Sequence, residues 1–152
     1  MRARGRRRGL LQLFAKVARE TLRATDIVGR LGGEEFVALL PSTSAEAAVA
    51  AERVRAALAA ASIVRNGRRV AATVSIGVAS GSPATAIDLL IRLADEALYR
   101  AKENGRNRVE LADEQGDAPE PNHDNKNAAP QRGIRRKEKG AVNNGAPESC
   151  IA

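Results

Sequence analysis

Apolar and polar positions change period several times along the chain, and each change marks an element. Between residues 10 and 23, Leu10, Leu11, Phe14, Val17, Ala18 and Leu22 recur at helical spacing, opposite Lys16, Arg19, Glu20 and Arg23. This predicts an amphipathic helix without a good N-cap. Ile27-Val28-Gly29-Arg30 and Phe36-Val37-Ala38-Leu39-Leu40 read as two antiparallel strands reversing at Gly32-Gly33, the second stopped by Pro41. Thr43 and Glu46 have capping-box spacing, and Ala47, Ala51, Val54 and Leu58 follow on one face, so a second helix is expected to about Ala61. Asn66-Gly67 predicts a hairpin joining residues 62–65 to a β-rich run from Val70 to Ala79, in which Gly77 implies a helix crossing closely over the strand. Thr85 and Asp88 again have capping-box spacing, before Leu90, Ala94, Ala97, Leu98 and Ala101 form an apolar face ending at Asn104-Gly105. A short last strand is expected over residues 107–111.

The order helix, hairpin, helix, hairpin, helix, strand describes an α+β domain, an antiparallel-rich sheet covered by helices. Its expected limits are residues 10–111. Residues 1–9 are Arg-rich and expected to be unstructured. Residues 112–152 are dominated by Pro, Asn, Asp, Glu, Gln, Lys and Gly, bury too little to offset the entropy of ordering, and are expected to form a disordered tail.

Composition narrows the chemistry. The 152 residues suit one domain, and with 43% apolar but 2% aromatic residues the core must be built from Leu, Ile, Val and Ala. The net charge of +7 suggests nucleic acid until its distribution is seen. Arg2, Arg4, Arg6, Arg7 and Arg8 carry +5 of it, and residues 9–111 hold 14 basic against 11 acidic side chains. No basic stripe interleaved with aromatics remains, which argues against a nucleic-acid partner. Cys150 and His123, each the single residue of its type, both fall in the tail, so neither an internal disulfide, a His-Cys zinc site nor a Ser-His-Asp triad is available to the domain. No apolar run approaches the roughly 20 residues of a membrane span, and a cytoplasmic location is expected.

The stretch with chemical content is Arg30-Leu31-Gly32-Gly33-Glu34-Glu35-Phe36, preceded by Arg23-Ala24-Thr25-Asp26. Paired glycines let the backbone approach a ligand, and adjacent carboxylates offer hard oxygens to Mg²⁺. Taken alone, the same residues also describe an ordinary hairpin turn with solvated glutamates.

The order RxxD, then GGEEF, then an apolar strand resembles the GGDEF family, the diguanylate cyclases, in its GGEEF variant. Three further stretches carry the likeness: Thr73-Val74-Ser75-Ile76-Gly77-Val78-Ala79, Ala94-Asp95-Glu96-Ala97-Leu98-Tyr99-Arg100-Ala101-Lys102, and Gly105-Arg106-Asn107-Arg108-Val109. The resemblance implies a ferredoxin-like, nucleotidyl-cyclase-like palm sheet and condensation of two GTP to cyclic di-GMP across a homodimer, with Mg²⁺ or Mn²⁺ as cofactor. It further implies that Glu34 is a metal ligand and general base, Glu35 a supporting metal ligand, and Gly32 and Gly33 the admission point for phosphates. Lys102 and Arg106, four apart and so expected on one face at the end of the last helix, correspond to contacts with the terminal phosphates. Arg23 and Asp26 match an inhibitory site for the product, with Arg53 as a second contact.

The family's upstream strand, which carries a metal-binding Asp, and its guanine-binding Asn-Asp region have no counterpart here. The expectation is therefore a palm sheet missing its first central strand, in an N-terminally truncated chain. Two alternatives follow: a non-catalytic cyclic di-GMP receptor using Arg23 and Asp26, or an inert fragment.

Overall fold

The computed structural model describes residues 2–113 and 148–151. Helix α1 (Arg2–Thr21) leads through a turn into strands β1 (Ile27–Gly32) and β2 (Glu35–Pro41), followed by helix α2 (Ser44–Ala60). A hairpin of β3 (Ile63–Arg65) and β4 (Arg68–Val70) precedes β5 (Ile76–Gly81), helix α3 (Ile87–Glu103), β6 (Val109–Leu111) and β7 (Glu148–Ile151). The main sheet has the order β1-β2-β7-β5-β6, and β3-β4 is a separate ribbon. The α+β palm-like architecture expected from the sequence is present.

Side-chain alternation builds two cores on this sheet. Ala38, Leu40, Ile76 and Val78 face α2, where they meet Ala47, Ala51 and Val54, with Phe14 of α1 packed alongside. Ala79, with the half-buried Val37 and Leu39, faces α3 at Leu90, Leu93 and Ala94. Helices therefore cover both faces. The first four residues of β5 are buried, which explains why Ile76 to Ala79 carries no polar side chain. At Gly77 a Cβ would stand 1.9 Å from the Ala94 carbonyl oxygen and 2.3 Å from the Leu98 nitrogen. Only glycine admits α3 this close.

Several expectations are corrected. The first helix begins at Arg2 rather than Leu10, because the arginines at 2, 4, 6, 7 and 8, good helix formers, outweigh Gly5 and Gly9 and let it extend outward into the segment expected to be unstructured. The run from Val70 to Ala79 is not one strand: β4 stops at Val70 and β5 starts at Ile76. Thr43 and Glu46 form the expected capping box. Thr85 does not form one, since the N-cap of α3 is Ala86 and the Thr85 hydroxyl instead accepts from the Ser82 amide at 3.0 Å. A local turn has outcompeted the cap.

The largest departure concerns the centre of the sheet. The strands expected to lose a partner, β2 and β5, both pair antiparallel with β7, which comes from the segment expected to be disordered. Ala38 to Pro41 face Ile151 to Glu148 on one side, and Val78 to Gly81 face the same four residues on the other. Main-chain donors and acceptors on two facing edges must find partners, and a four-residue strand supplies them. The rest of the tail, residues 114–147, lies outside the described residues.

Candidate functional site

The β1–β2 turn is closed by Gly33 in the left-handed region at φ 51°, as the paired glycines require. Arg30 fastens it, its Nη2 donating to the Gly33 carbonyl at 2.6 Å. A β-bulge between Arg30 and Gly32 re-aims the strand end. Glu34 and Glu35 follow on the exposed rim. Glu34 is paired with Arg7 of α1 at 3.2 Å, both side chains being more than half exposed. The Arg-rich start of the chain thus sets a cation against one of the two motif carboxylates.

Glu34 and Glu35 line a cavity of about 940 Å³ together with Ser75, Lys102 and Arg106. The structure thus brings four of the residues singled out in the sequence around one volume, by a route other than the one expected. Helix α3 ends at Glu103, and Arg106 lies beyond Gly105 (φ 109°) in a reversed turn with φ 61°. Its amide donates back to the Ala101 carbonyl at 3.0 Å. The spacing of four between Lys102 and Arg106 is therefore not helical, and a left-handed turn carries Arg106 to the cavity instead.

Helix α3 adds Asp88, Arg92 and Asp95 to the same lining, which sequence reading passed over. Their spacing of four and then three, continued by Leu98 and Lys102, was the available signal: it defines one helix face. Arg92 pairs along the helix with Glu96 at 2.8 Å.

For a divalent metal, the chemistry of the donor set is right, since Glu34 and Glu35 offer carboxylate oxygens beside cations suited to phosphate. Among the described residues no three His, Cys, Asp or Glu side chains gather as a metal cage. These two carboxylates fit an ion whose remaining ligands come from phosphate oxygens and water.

The RxxD residues form a second, smaller cavity of about 240 Å³ lined by Arg23, Asp26, Glu46 and Arg53. Asp26 Oδ2 accepts from the Arg23 amide at 2.7 Å, and the Asp26 amide donates to the Arg23 carbonyl at 3.0 Å, so the aspartate builds the turn. The Arg23 guanidinium is left to reach Glu46 at 3.9 Å. Arg53 Nη2 donates to the Thr21 carbonyl at the end of α1. Hydrogen bonds from the Thr43 main chain and hydroxyl hold the Glu46 carboxyl below its ordinary range, with the nearby Arg23 charge acting in the same direction.

A mixed sheet covered on both faces, whose glycine-turn hairpin sets two carboxylates across a cavity from two cations, defines a nucleotidyl-cyclase-like palm. Comparison with known proteins specifies it further: the family model described as "Diguanylate cyclase, GGDEF domain" matches residues 8–108, and the chain belongs to that family. It is 42% identical over 105 residues to Diguanylate cyclase A of Treponema denticola, covering 68% of this chain and 28% of that protein. It is 43% identical over 104 residues to Diguanylate cyclase DgcP of Pseudomonas aeruginosa, covering 68% of this chain and 16% of that protein. Among solved structures, the GGDEF domain of DgcB from Caulobacter crescentus in complex with c-di-GMP superimposes with a TM-score of 0.64 at 29% identity, over 68% of this chain and 63% of that one. The active GGEEF domain of a diguanylate cyclase from Vibrio cholerae does so with 0.58 at 29% identity, over 69% and 67%. The chain thus spans under a third of these curated relatives. No helix among the described residues is long and apolar enough to cross a membrane.

Proposed function

We propose that this domain handles GTP and cyclic di-GMP as a diguanylate cyclase domain. The observation that carries the reading is the convergence of Glu34, Glu35, Lys102 and Arg106, from opposite ends of the domain, on one cavity. In the reaction, the ribose 3′-hydroxyl of each GTP attacks the α-phosphate of the other. Two phosphodiester bonds form, and two pyrophosphates leave. Lys102 and Arg106 would hold the terminal phosphates and offset the charge that builds on the leaving group. Gly32 and Gly33, lacking side chains, leave room for phosphates to approach the turn. Glu34 would take the hydroxyl proton or hold metal, with Glu35 in support. Mg²⁺ or Mn²⁺ when bound supplies positive charge that neutralises the triphosphate and lowers the hydroxyl pKa. Because one cavity takes one GTP, product requires two protomers facing each other. Incubating the purified chain with GTP and Mg²⁺ or Mn²⁺ should yield cyclic di-GMP, and its absence at high protein concentration would refute catalysis by this chain.

The RxxD cavity supports a second reading, a product-binding site using Arg23, Asp26 and Arg53, with or without catalysis. Arginine forks suit phosphate and guanine edges, and Asp26 already fixes the turn that presents Arg23. Titration with cyclic di-GMP should show binding that Arg23→Ala weakens by ~10-fold or more, the scale of one lost charge-assisted contact. A flat wild-type titration would eliminate this site.

A further inference from the structure

Arg55 stands outside both cavities, yet it makes the most extensive set of side-chain hydrogen bonds that spans two distant parts of the domain. Its Nε donates to both oxygens of Glu52 at 3.0 and 2.9 Å, and its Nη2 to Glu52 Oε1 at 2.5 Å. This fork uses one edge of the guanidinium and orients the rest. Nη1, on the other edge, donates to Asn107 Oδ1 at 2.9 Å and reaches the Asn107 carbonyl at 3.5 Å. The Arg55 side chain is only 20% exposed. A bridge that links α2 to a loop 52 residues away has been built at the cost of ordering three polar side chains.

What it holds is the turn that carries Arg106. Arg106 and Asn107 both occupy the left-handed region, at φ 61° and 47°, which asparagine tolerates but an arginine adopts rarely and at a cost in strain. The Asn107 amide donates to Ser75 Oγ at 3.2 Å, and the Arg108 carbonyl accepts from the Ile76 amide at 2.9 Å, so the turn is also tied to the start of β5. Those ties fix its base on the sheet side. Arg55 fixes Asn107 from α2. With Asn107 gripped, the preceding residue is constrained to the cavity that Glu34, Glu35 and Lys102 line.

We propose that Arg55 is a positioning residue for Arg106: by clamping Asn107 it holds the strained turn in the one shape that presents the Arg106 guanidinium to the terminal phosphates of a nucleoside triphosphate. This rests on the GTP reading given above. Arg106 would be the phosphate contact and Arg55 would touch no substrate. Lysine is not an equivalent, because an ammonium is a point donor that cannot grip Glu52 through two parallel bonds while reaching Asn107 with a third.

The test uses the full chain with Mg²⁺ and compares GTP with GMP, which lacks the terminal phosphates. Arg55→Ala should weaken GTP binding by ~10-fold, approaching the loss in Arg106→Ala, because one charge-assisted phosphate contact is at stake. GMP binding should stay unchanged, and Arg55→Lys should fall between wild type and Arg55→Ala. In an Arg106→Ala background, Arg55→Ala should cost GTP nothing more, since the two act through one contact. Equal losses for GTP and GMP, or additive losses in the double variant, would overturn the positioning role. Amide exchange reads the clamp without nucleotide: Arg55→Ala should speed exchange at Asn107 and leave β5 protected. Unchanged exchange at Asn107 would overturn the clamp, whereas a wild-type chain that binds no GTP would overturn the substrate reading and the role toward nucleotide with it.

Discussion

The two cavities are built in opposite ways. The RxxD cavity draws Arg23 and Asp26 from the turn before β1 and Glu46 and Arg53 from α2, all within residues 23–53, and its turn is made by hydrogen bonds three residues apart. The larger cavity draws Glu34 and Glu35 from a hairpin, Lys102 from the far end of α3 and Arg106 from the turn after it, some seventy positions later in the chain. Between them lie two long-range seams: β7 joining β2 to β5, and α3 lying on β5 at Gly77. A local site depends on local chain geometry. A distributed site inherits every error in the packing between its parts.

Breaking the seams should separate the two sites. The largest effect is expected from removing residues 148–152, which strips the main-chain partners from Ala38 to Pro41 and from Val78 to Gly81. Each buried group left without a partner costs about 1–3 kcal/mol, so several together rival the stability of a whole domain. Thermal melting should lose its cooperativity, and amides of residues 38–40 and 78–81 should exchange fast. A deletion variant that melts like the parent would mean that β7 carries no weight in the sheet.

Gly77→Ala comes next. A methyl group 1.9 Å from a backbone oxygen cannot be absorbed by a rotamer change, so α3 must move away, at a cost of about 3 kcal/mol. Lys102 and Arg106 ride on α3 and the turn after it, and GTP affinity should fall well before cyclic di-GMP affinity does. Equal losses in the two titrations would show that the sites are not independent.

Smaller effects sharpen the comparison at single residues. Arg7→Ala removes the cation paired with Glu34, and because both groups are exposed the gain should be slight, about 2-fold tighter Mg²⁺ binding in the presence of GTP. Weaker Mg²⁺ binding would mean that Arg7 assists the site rather than competing for Glu34. Thr43→Ala acts on the wall of the RxxD cavity, through the cap of α2 and the Glu46 carboxyl. A carboxyl held below its ordinary range in the folded state stabilises the fold above the unfolded-state pKa, about 4.3, and that stabilisation is lost as pH falls through the folded value. The wild type should therefore lose stability as the solution is acidified below about pH 4.3, and Thr43→Ala should show a shallower loss. The Glu52 carboxyl, held down chiefly by its hydrogen bonds from Arg55, adds an acid-labile contribution of the same sign that Thr43→Ala leaves in place. Melting temperatures from pH 3 to 7 for the two proteins check this.

Much of this was legible in the sequence because it is local. The period-2 and period-3.6 patterns located β1, β2, α2 and α3, Thr43 with Glu46 foretold a cap that forms, and Gly77 announced the close helix crossing that the structure contains. The family was legible in four short stretches. Arg23 and Asp26 fell together for the same reason, being three residues apart with a turn between them.

Only the tertiary structure decided the rest, because the remaining contacts join residues whose separation leaves no periodic trace. Arg106 reaches the cavity through a left-handed turn rather than a helix face, and no spacing rule encodes a positive φ at arginine. The grip of Arg55 on Asn107 spans 52 positions. Glu148 to Ile151, only four residues long and without an alternating pattern, has no strand signal of its own. It becomes a strand because two unpaired edges stand one strand's width apart, and unsatisfied main-chain groups are costly enough to order whatever segment can pair with both.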